Sequence, residues 1–259
     1  MQDNSALGRT MAVVRDLRVR CAWDRVQTRE TLRPYLVEEV LELDHAIAEG
    51  EAPAIREELG DFLLHLAWQL VLAEDAGEFT ASELGADVER KMQRRHPHLF
   101  DLGPAEAWER LKSRERTGGV LSGLPPSLPD LLMAFRLQER AASVGFDWPD
   151  TAGPIGKVHE ELAEVEGELL SGDTEALTDE IGDLFFAVVN LARKAGVQPG
   201  TALARANRKF RSRFSAVEAL AAARGLDMST AGLTALDALW DEAKVREEGS
   251  GPASGDVPR

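Results

Sequence analysis

The sequence contains a single cysteine, Cys21. One thiol cannot form a disulfide within the chain, which suits a reducing compartment. Long hydrophobic runs are also missing, since the most apolar stretch, residues 62–73, is interrupted by His65 and Gln69. It is shorter than the roughly 20 residues that a membrane-spanning helix needs. Residues 1–7 lack the basic region and apolar core of a secretory signal, so we expect a cytoplasmic protein with no membrane partner.

Basic residues are outnumbered by acidic ones. Lys and Arg together number 30, against 45 for Asp and Glu, and the formal net charge is -15. Affinity for a phosphate backbone comes mainly from clustered Lys and Arg side chains. The charge balance therefore excludes a non-specific binder of nucleic-acid polymers.

Aromatic residues make up only 6% of the chain, and tyrosine occurs once. Alternating runs of Val, Ile, Thr and aromatic residues, which are typical of strands, are almost absent. The chain is therefore predicted to be all-α. Proline near the starts and glycine just past the ends mark the helices. The predicted helices cover residues 5–19, 30–49, 53–76, 81–95, 105–116, 128–143, 154–170, 174–195, 199–224 and 232–247.

A segment rich in Gly, Pro and Ser separates two groups of helices and is typical of a linker. The C-terminal residues have a similar composition, which predicts a disordered tail. The predicted organisation is an N-terminal domain over 1–116, a linker over 117–127, a C-terminal domain over 128–248 and a tail over 249–259.

The two halves of the chain repeat each other. Glu38-Glu39-Val40-Leu41-Glu42 and Glu58-Leu59-Gly60-Asp61 return as Glu160-Glu161-Leu162-Ala163-Glu164 and Glu180-Ile181-Gly182-Asp183. Each acidic position is displaced by the same 122 residues, as from Glu38 to Glu160. A period this long far exceeds the roughly 20–50 residues of a solenoid unit. We therefore expect two tandem helical domains, each with a helical hairpin or four-helix-bundle type of fold.

The spacing of the carboxylates predicts where they meet. Glu39 and Asp61 are symmetric about Gly50, as are Glu42 and Glu58, and Gly172 has the same place in the second half. If each glycine lies at the turn of an antiparallel hairpin, the members of each pair face one another. Four carboxylates then converge from two helices. Their arc borders an apolar stripe, which predicts partial burial at the flank of the core. The stripe consists of Leu36, Val40, Leu43 and Ile47 in the first half and Val158, Leu162, Val165 and Leu169 in the second.

Converging carboxylates disfavour each other's ionisation, and a divalent cation relieves this conflict. Oxygen-only ligation suits Mg²⁺ or Mn²⁺ better than Zn²⁺, and Mg²⁺ commonly shares its shell with substrate phosphates. A solvated helix face would explain one acidic cluster, but not two with identical spacing. A di-iron bundle needs two Glu-x-x-His pairs, and only Glu42 with His45 fits, because Gly167 stands at the position matching His45.

These motifs resemble the signature of the all-α nucleoside triphosphate pyrophosphohydrolases, and their tandem layout is similar to that of the MazG family. The resemblance covers residues 7–247, with the motifs in order on both sides of the linker. Other stretches that carry it are Cys21-Ala-Trp-Asp-Arg-Val-Gln-Thr28, Arg94-Arg-His-Pro-His-Leu-Phe100, Gly145-Phe-Asp-Trp148, Asn207-Arg-Lys-Phe-Arg-Ser-Arg-Phe214 and Ala222-Ala-Arg-Gly-Leu-Asp-Met228.

The resemblance implies Mg²⁺-dependent hydrolysis of NTPs or dNTPs to the monophosphate and pyrophosphate, with Mn²⁺ as a substitute and broad nucleotide-pool cleansing as the role. Glu160 would orient or deprotonate the attacking water, with Glu161 as a second catalytic residue. The implied metal ligands are Glu161, Glu164, Glu180 and Asp183. The implied substrate-binding residues are Lys157, Glu160, Glu161, Asp183, Lys209, Arg213, Trp240 and Lys244.

The first half keeps a second, N-terminal site but departs from the second half at one position. Tyr35 stands where Lys157 is expected, so we expect the second domain to be the main catalytic unit. His96 and His98 are candidates for phosphate contacts or for a structural loop. The N-terminal site consists of Glu38, Glu39, Glu42, Glu58, Asp61, Lys91 and Arg95.

Apolar residues extend beyond the acidic clusters, for example at Phe185 and Phe186, which favours a homodimer. Two rival functions stay open at this point. One is a narrower pyrophosphohydrolase of the same fold, acting on dUTP, dCTP or phosphoribosyl-ATP. The other is a catalytically silent helical interaction or regulatory protein.

Overall fold

The computed structural model describes residues 5–100, 102–106, 111–112 and 118–249. Over these ranges the chain forms α-helices, one 3₁₀ turn and loops without a β-strand, which confirms the all-α fold class. The chain divides into two compact units, Met1–Ala105 and Glu106–Arg259. The domain bounds of the sequence analysis stay a prediction. None of the described helices is both long enough and apolar enough to cross a membrane.

The first unit is organised around a helical hairpin. Helices α3 and α4 pack along each other, and α1 packs against α4. Thr28 and Thr80 begin α3 and α5 with capping boxes, because each side chain accepts from the backbone N–H three residues on. The elements are α1 (Ala6–Arg20), α2 (Ala22–Arg25), α3 (Arg29–Glu49), α4 (Ala52–Asp75), α5 (Ala81–Arg95) and a 3₁₀ turn (Pro97–Leu99).

The second unit repeats the hairpin. Helices α7 and α8 pack along each other, α6 packs on α8, and α9 packs on α10. The Gln138 amide of α6 donates to the backbone carbonyl of Phe186 in α8 at 2.8 Å. The elements are α6 (Asp130–Ser143), α7 (Ala152–Ser171), α8 (Thr174–Lys194), α9 (Pro199–Ala223) and α10 (Leu233–Gly249).

Two glycines make the hairpin turns. Gly50 ends α3 with φ 79°, and Gly172 ends α7 with φ 76°. Residues with a side chain rarely adopt this left-handed backbone, which suits a C-terminal glycine. Each hairpin then needs only two residues between its helices, residues 50–51 and 172–173. The predicted turns are thus present in both units.

The two apolar cores lie away from the carboxylates. In the first unit, buried side chains gather between α1 and α4, where Trp68 is also covered by the Arg18 guanidinium at 5.6 Å from the ring. In the second unit they gather between α9 and α10. The first core contains Met11, Val14, Leu32, Ala67, Trp68, Leu70 and Val71, and the second contains Val217, Leu220, Ala221, Leu239 and Ala243.

The apolar stripe beside the carboxylates does not join either core. Val40, Ile47, Leu162 and Leu169 are exposed, and only Val165 of the stripe is buried. The expectation that the stripe faces a core is wrong for the four exposed positions. Two helices of a hairpin cover each other along a single face. The first core forms where α4 packs on α1 and the second where α9 packs on α10, so neither covers the four exposed positions.

Helix bounds agree with the predicted ones to within two residues in most cases. Helix α2 is absent from the predicted helices, because a four-residue helix is too short to show a periodic pattern. The predicted helix over 105–116 lies mostly outside the described residues, with Ala105 and Glu106 in a loop and residues 111–112 helical. Residue 117 of the linker and residues 250–259 of the predicted tail also lie outside them.

Candidate functional site

Three carboxylates meet across each hairpin. In the first unit, Glu39 and Glu42 of α3 lie beside Glu58 of α4, with carboxylate oxygens all within 4.8 Å of one another. In the second unit, the matching residues of α7 and α8 form an equivalent group under the same 4.8 Å criterion, namely Glu161, Glu164 and Glu180. Three of the four convergent positions predicted in each half are therefore brought together.

The fourth predicted ligand lies one helical turn further on. Within the part of the chain that the structure describes, neither Asp61 nor Asp183 belongs to a group of mutually close ligand atoms. The charge of Asp61 nevertheless reaches Glu39 and helps to raise its pKa. Asp183 is exposed. Metal ligation by these residues stays a prediction.

The carboxylates repel one another. Partial burial raises the pKa of Glu39, and the charges of Asp61 and Glu42 add to this effect. Partial burial and the charge of Glu42 likewise raise the pKa of Glu58. In the second unit, a hydrogen bond shared with Glu161 raises the pKa of Glu164, because the shared bond requires a proton on one carboxyl. Both groups would be relieved by a bound cation.

A lysine side chain contacts the second carboxylate group. The Lys157 ammonium lies 2.5 Å from Oε1 of Glu161 and 2.8 Å from Oε1 of Glu160. Glu161 is only 4% exposed, so its carboxylate requires a partner of this kind. The hydrogen bonds to Glu160 and Glu161 raise the pKa of Lys157. Glu160 itself is exposed at the rim of the group, and its catalytic role stays a prediction.

The remaining predicted substrate contacts of the second unit lie on α9 and α10. Arg213 donates to Glu247 at 2.5 Å, Lys244 donates to Asp241 at 2.9 Å, and Lys209 is exposed. The rings of Phe210 and Trp240 are 5.2 Å apart. Among the contacts that the structure describes, none joins these four predicted residues, Lys209, Arg213, Trp240 and Lys244, to the carboxylates. Their part in substrate binding stays a prediction.

The N-terminal site differs from the second in its surroundings. Tyr35, at the position matching Lys157, is exposed and makes an edge contact with Trp23, with ring centroids 6.2 Å apart. Glu38 is exposed, and Lys91 and Arg95 lie half-buried at the end of α5. The His96 ring bonds the Met92 carbonyl at 2.9 Å, which supports the structural alternative for this loop.

Comparison with known proteins identifies the family. The profile of the MazG nucleotide pyrophosphohydrolase domain matches residues 27–100 and 155–217, which contain both carboxylate groups. The chain belongs to the MazG family. It is 39% identical to the nucleoside triphosphate pyrophosphohydrolase of Escherichia coli K12, over 92% of this chain and 95% of that protein. It is 40% identical to the Thermotoga maritima "nucleoside triphosphate pyrophosphohydrolase/pyrophosphatase MazG", over 88% of this chain and 91% of that protein. The resemblance seen in the sequence is thereby confirmed.

One polar residue of this MazG chain was missed by the sequence analysis. The His65 side chain of α4 is only 9% exposed, and its Nε2 lies 3.8 Å from Oε1 of Glu39. Burial lowers its pKa, against the opposing charge of Asp61. The available signal was its position four residues after Asp61, which places both residues on one helix face.

The Gly145–Trp148 stretch, part of the MazG resemblance, is tied to the end of α8. The Asp147 carboxylate accepts from Arg193 at 2.5 Å and from Lys194 at 3.0 Å. The hydrogen bond from Arg193, followed by that from Lys194, lowers the pKa of Asp147 to about 2. These bonds fix the loop that leads into α7, the helix carrying Glu161.

Proposed function

We propose that this protein hydrolyses nucleoside triphosphates to nucleoside monophosphate and pyrophosphate with Mg²⁺, and that the second unit is the main catalytic unit. The observation that carries the proposal is the group of three close carboxylates, present twice in a chain of the MazG family. The position of Lys157 against the second group favours that unit for catalysis, because the first unit has Tyr35 there.

The donor set fits a hard divalent cation. All close ligand atoms are carboxylate oxygens. Burial and the charges of Asp61 and Glu42 raise the pKa of Glu39, and the hydrogen bond shared with Glu161, together with burial, raises the pKa of Glu164. In the second unit, the cation would be held by Glu161, Glu164 and Glu180, with Asp183 one turn away. When bound, Mg²⁺, or Mn²⁺ in its place, supplies positive charge that neutralises phosphate oxygens.

Glu160 is the proposed general base for the attacking water. Its carboxylate lies at the exposed rim, beside the ammonium of Lys157 that also contacts Glu161. In the proposed reaction, a water oxygen bonds to the α-phosphorus and the bond from that phosphorus to the bridging oxygen breaks. Pyrophosphate leaves, and Glu160 accepts the proton of the water.

Cationic side chains would hold the triphosphate. Lys157 lies closest to the carboxylates, and an ammonium there can contact phosphate as well as Glu161. The Arg213 fork can bind two phosphate oxygens at once. We assign Lys209 and Lys244 to further contacts with the phosphates, and Trp240 to a contact with the nucleobase of the substrate.

A homodimer completes the proposal. Large apolar side chains are exposed at matching positions of both hairpins, such as Leu59 with Ile181 and Leu66 with Val188. Exposed apolar area of this extent favours burial against a partner. We further propose a cytoplasmic location and a broad role in cleansing the nucleotide pool, with the first unit as a weaker hydrolase, a regulatory nucleotide site or a scaffold.

A pyrophosphate-release assay tests the activity. It would compare canonical and damaged nucleoside triphosphates with dUTP, dCTP and phosphoribosyl-ATP, so that a strong preference for one of the last three identifies the narrower enzyme. The matched variants are Glu161→Gln and Glu39→Gln, which remove one charge at the same position of the two repeats. We expect a loss of at least about 100-fold for Glu161→Gln and a smaller loss for Glu39→Gln. The reverse order would assign catalysis to the first unit.

The silent alternative has its own test. A ligand that binds only the native state raises thermal stability. We expect Mg²⁺ with a non-hydrolysable nucleotide to raise Tm, and no shift together with no turnover would favour the silent protein.

A further inference from the structure

His65 is a buried polar side chain of the first unit that has no part in the proposed reaction. It lies on α4, and its imidazole Nε2 lies 3.8 Å from Oε1 of Glu39. Its Nδ1 is buried and has no hydrogen-bond partner among the described residues. A buried ring nitrogen without a hydrogen-bond partner is costly, so the position of His65 beside Glu39 requires an explanation.

The repeat supplies a comparison. The position matching His65 in the second unit is Ala187, which is also buried. There, Glu161 receives its N–H donor from Lys157 of its own helix. In the first unit Tyr35 stands in place of that lysine, and the imidazole nitrogen that lies 3.8 Å from Glu39 comes from the opposite helix of the hairpin. The two sites therefore draw the nitrogen beside their inner carboxylate from different helices.

We propose that His65 is a positioning residue of the first carboxylate site, whose Nε2–H donates to Glu39 when the site holds a divalent cation. Carboxylates that ligate a metal are themselves commonly held by hydrogen bonds, which fix their orientation. A proton on Nε2 leaves Nδ1 without one, so no buried N–H is left unsatisfied. This inference rests on the proposed metal dependence.

The two sites differ in the charge of the group that donates to their inner carboxylate. A neutral imidazole can hold Glu39 without adding positive charge, whereas Lys157 brings a cation that can also contact phosphate. The first site is then built to bind a divalent cation, but it lacks the ammonium that the second site places beside its carboxylates.

Mn²⁺ binding to the full chain tests the role. Glu161→Gln with Glu164→Gln disables the second site, so that Mn²⁺ bound in that background reports on the first. His65→Gln and His65→Met form a matched pair in it, because both side chains have similar length and only Gln carries an N–H donor. Counting free Mn²⁺ by electron paramagnetic resonance, we expect His65→Met to weaken binding about tenfold and His65→Gln to stay within about twofold of the parent.

Two results would overturn the proposal. One is unchanged Mn²⁺ affinity in His65→Met; the other is a nitrogen coupling in the pulsed resonance spectrum, which would make His65 a direct ligand. Should His65→Met unfold, as judged by circular dichroism, His65→Ala reproduces the residue that the second unit has, and the same tenfold loss is expected.

A background with Glu39→Gln and Glu42→Gln supplies the control, since only the second site remains and His65→Met should leave its Mn²⁺ affinity unchanged. A lower affinity there would indicate general damage and would contradict a local role. If the unsubstituted protein binds Mn²⁺ at neither site, the proposed metal dependence fails together with this inference. If the first site binds Mn²⁺ regardless of residue 65, only this inference fails.

Discussion

The ammonium nitrogen of Lys157 lies 2.5 Å from Oε1 of Glu161, within one helix and at a spacing of four residues. Glu161 is buried, whereas Lys157 remains partly exposed. The buried carboxylate of Glu161 is therefore paired with an ammonium group that solvent can reach. An approaching phosphate would contact the ammonium of Lys157.

Replacing the lysine is expected to impair the second unit. Lys157→Met keeps the length of the side chain but removes the ammonium, which leaves the buried Glu161 carboxylate without its partner and the phosphates without a cation. We expect kcat/KM for pyrophosphate release to fall by about 10- to 100-fold. A fall below about threefold would contradict the assigned role.

Tyr35→Met provides the matched control for that variant. Residue 35 occupies the corresponding position of the first unit and is exposed. Because Tyr35 brings no ammonium group to the first carboxylate group, we expect kcat/KM to change by less than about threefold. An equal loss in both variants would show that the two units contribute equally.

Burial and charge repulsion at Glu39 predict that this residue lowers the stability of the cation-free protein at neutral pH. The pKa of Glu39 is raised above its ordinary value of 4.5, so the folded state favours the protonated carboxyl. As pH rises above 4.5 and through the raised pKa, the stabilisation present at lower pH is lost. At pH 7 and without divalent cations, Glu39→Gln should therefore unfold at a higher Tm than the unsubstituted protein.

Calorimetry with and without Mg²⁺ checks this expectation. The increase in Tm caused by Glu39→Gln should become smaller near pH 4, where the carboxyl of the unsubstituted protein is protonated. The part of the Mg²⁺-induced Tm shift that comes from the first unit should also disappear in Glu39→Gln. A lower Tm without cations would mean that Glu39 stabilises the fold through a contact other than metal binding.

The meeting of the carboxylates could be predicted from the sequence because Gly50 and Gly172 fix the turns. Once a turn is fixed, residues equidistant from it face one another across the hairpin. The contact between Lys157 and Glu161 follows equally from spacing, since residues four apart share a helix face. These features depend on one or two neighbouring helices.

Burial and contacts between helices could not be predicted in the same way. Glu161 and Glu164 lie on the same arc of α7, yet only Glu161 is buried, because burial depends on side chains that pack from distant parts of the sequence. His65 was missed for a similar reason, as its approach to Glu39 depends on the separation of α3 and α4. The exposed stripe at Val40 and Leu162 shows that an apolar pattern does not identify which surface covers it.

The ion pairs of Asp147 predict an acid-sensitive contribution to the stability of the second unit. The pKa of this carboxyl is lowered to about 2, so its stabilisation is present above the ordinary value of 3.8 and is lost as pH falls towards 2. At pH 7, Asp147→Asn should reduce the free energy of unfolding by about 1 kcal/mol, after allowance for solvent screening. Denaturant titration at pH 7 and pH 3 measures the change.

Asp179→Asn is the control for Asp147→Asn, since Asp179 is an exposed residue on α8. Its replacement should change the free energy of unfolding by less than about 0.5 kcal/mol. The difference between the two variants should narrow at pH 3. A difference that stays constant with pH would mean that Asp147 acts through packing and not through its charge.

The exposed apolar face of α8 predicts where two copies meet. Phe185 is 62% exposed on the hairpin that carries the second carboxylate group, and a ring of this size in water favours burial against a partner. Phe185→Glu would place a charge in that contact, which is costly once water is excluded. Light scattering after size exclusion should give a dimer for the unsubstituted protein and a smaller species for the variant.

Leu170→Glu tests the specificity of the effect, because Leu170 is 90% exposed at the turn end of α7. The Leu170→Glu variant should remain dimeric. A monomeric unsubstituted protein would contradict the dimer, and dissociation by both variants would place the contact across the whole hairpin.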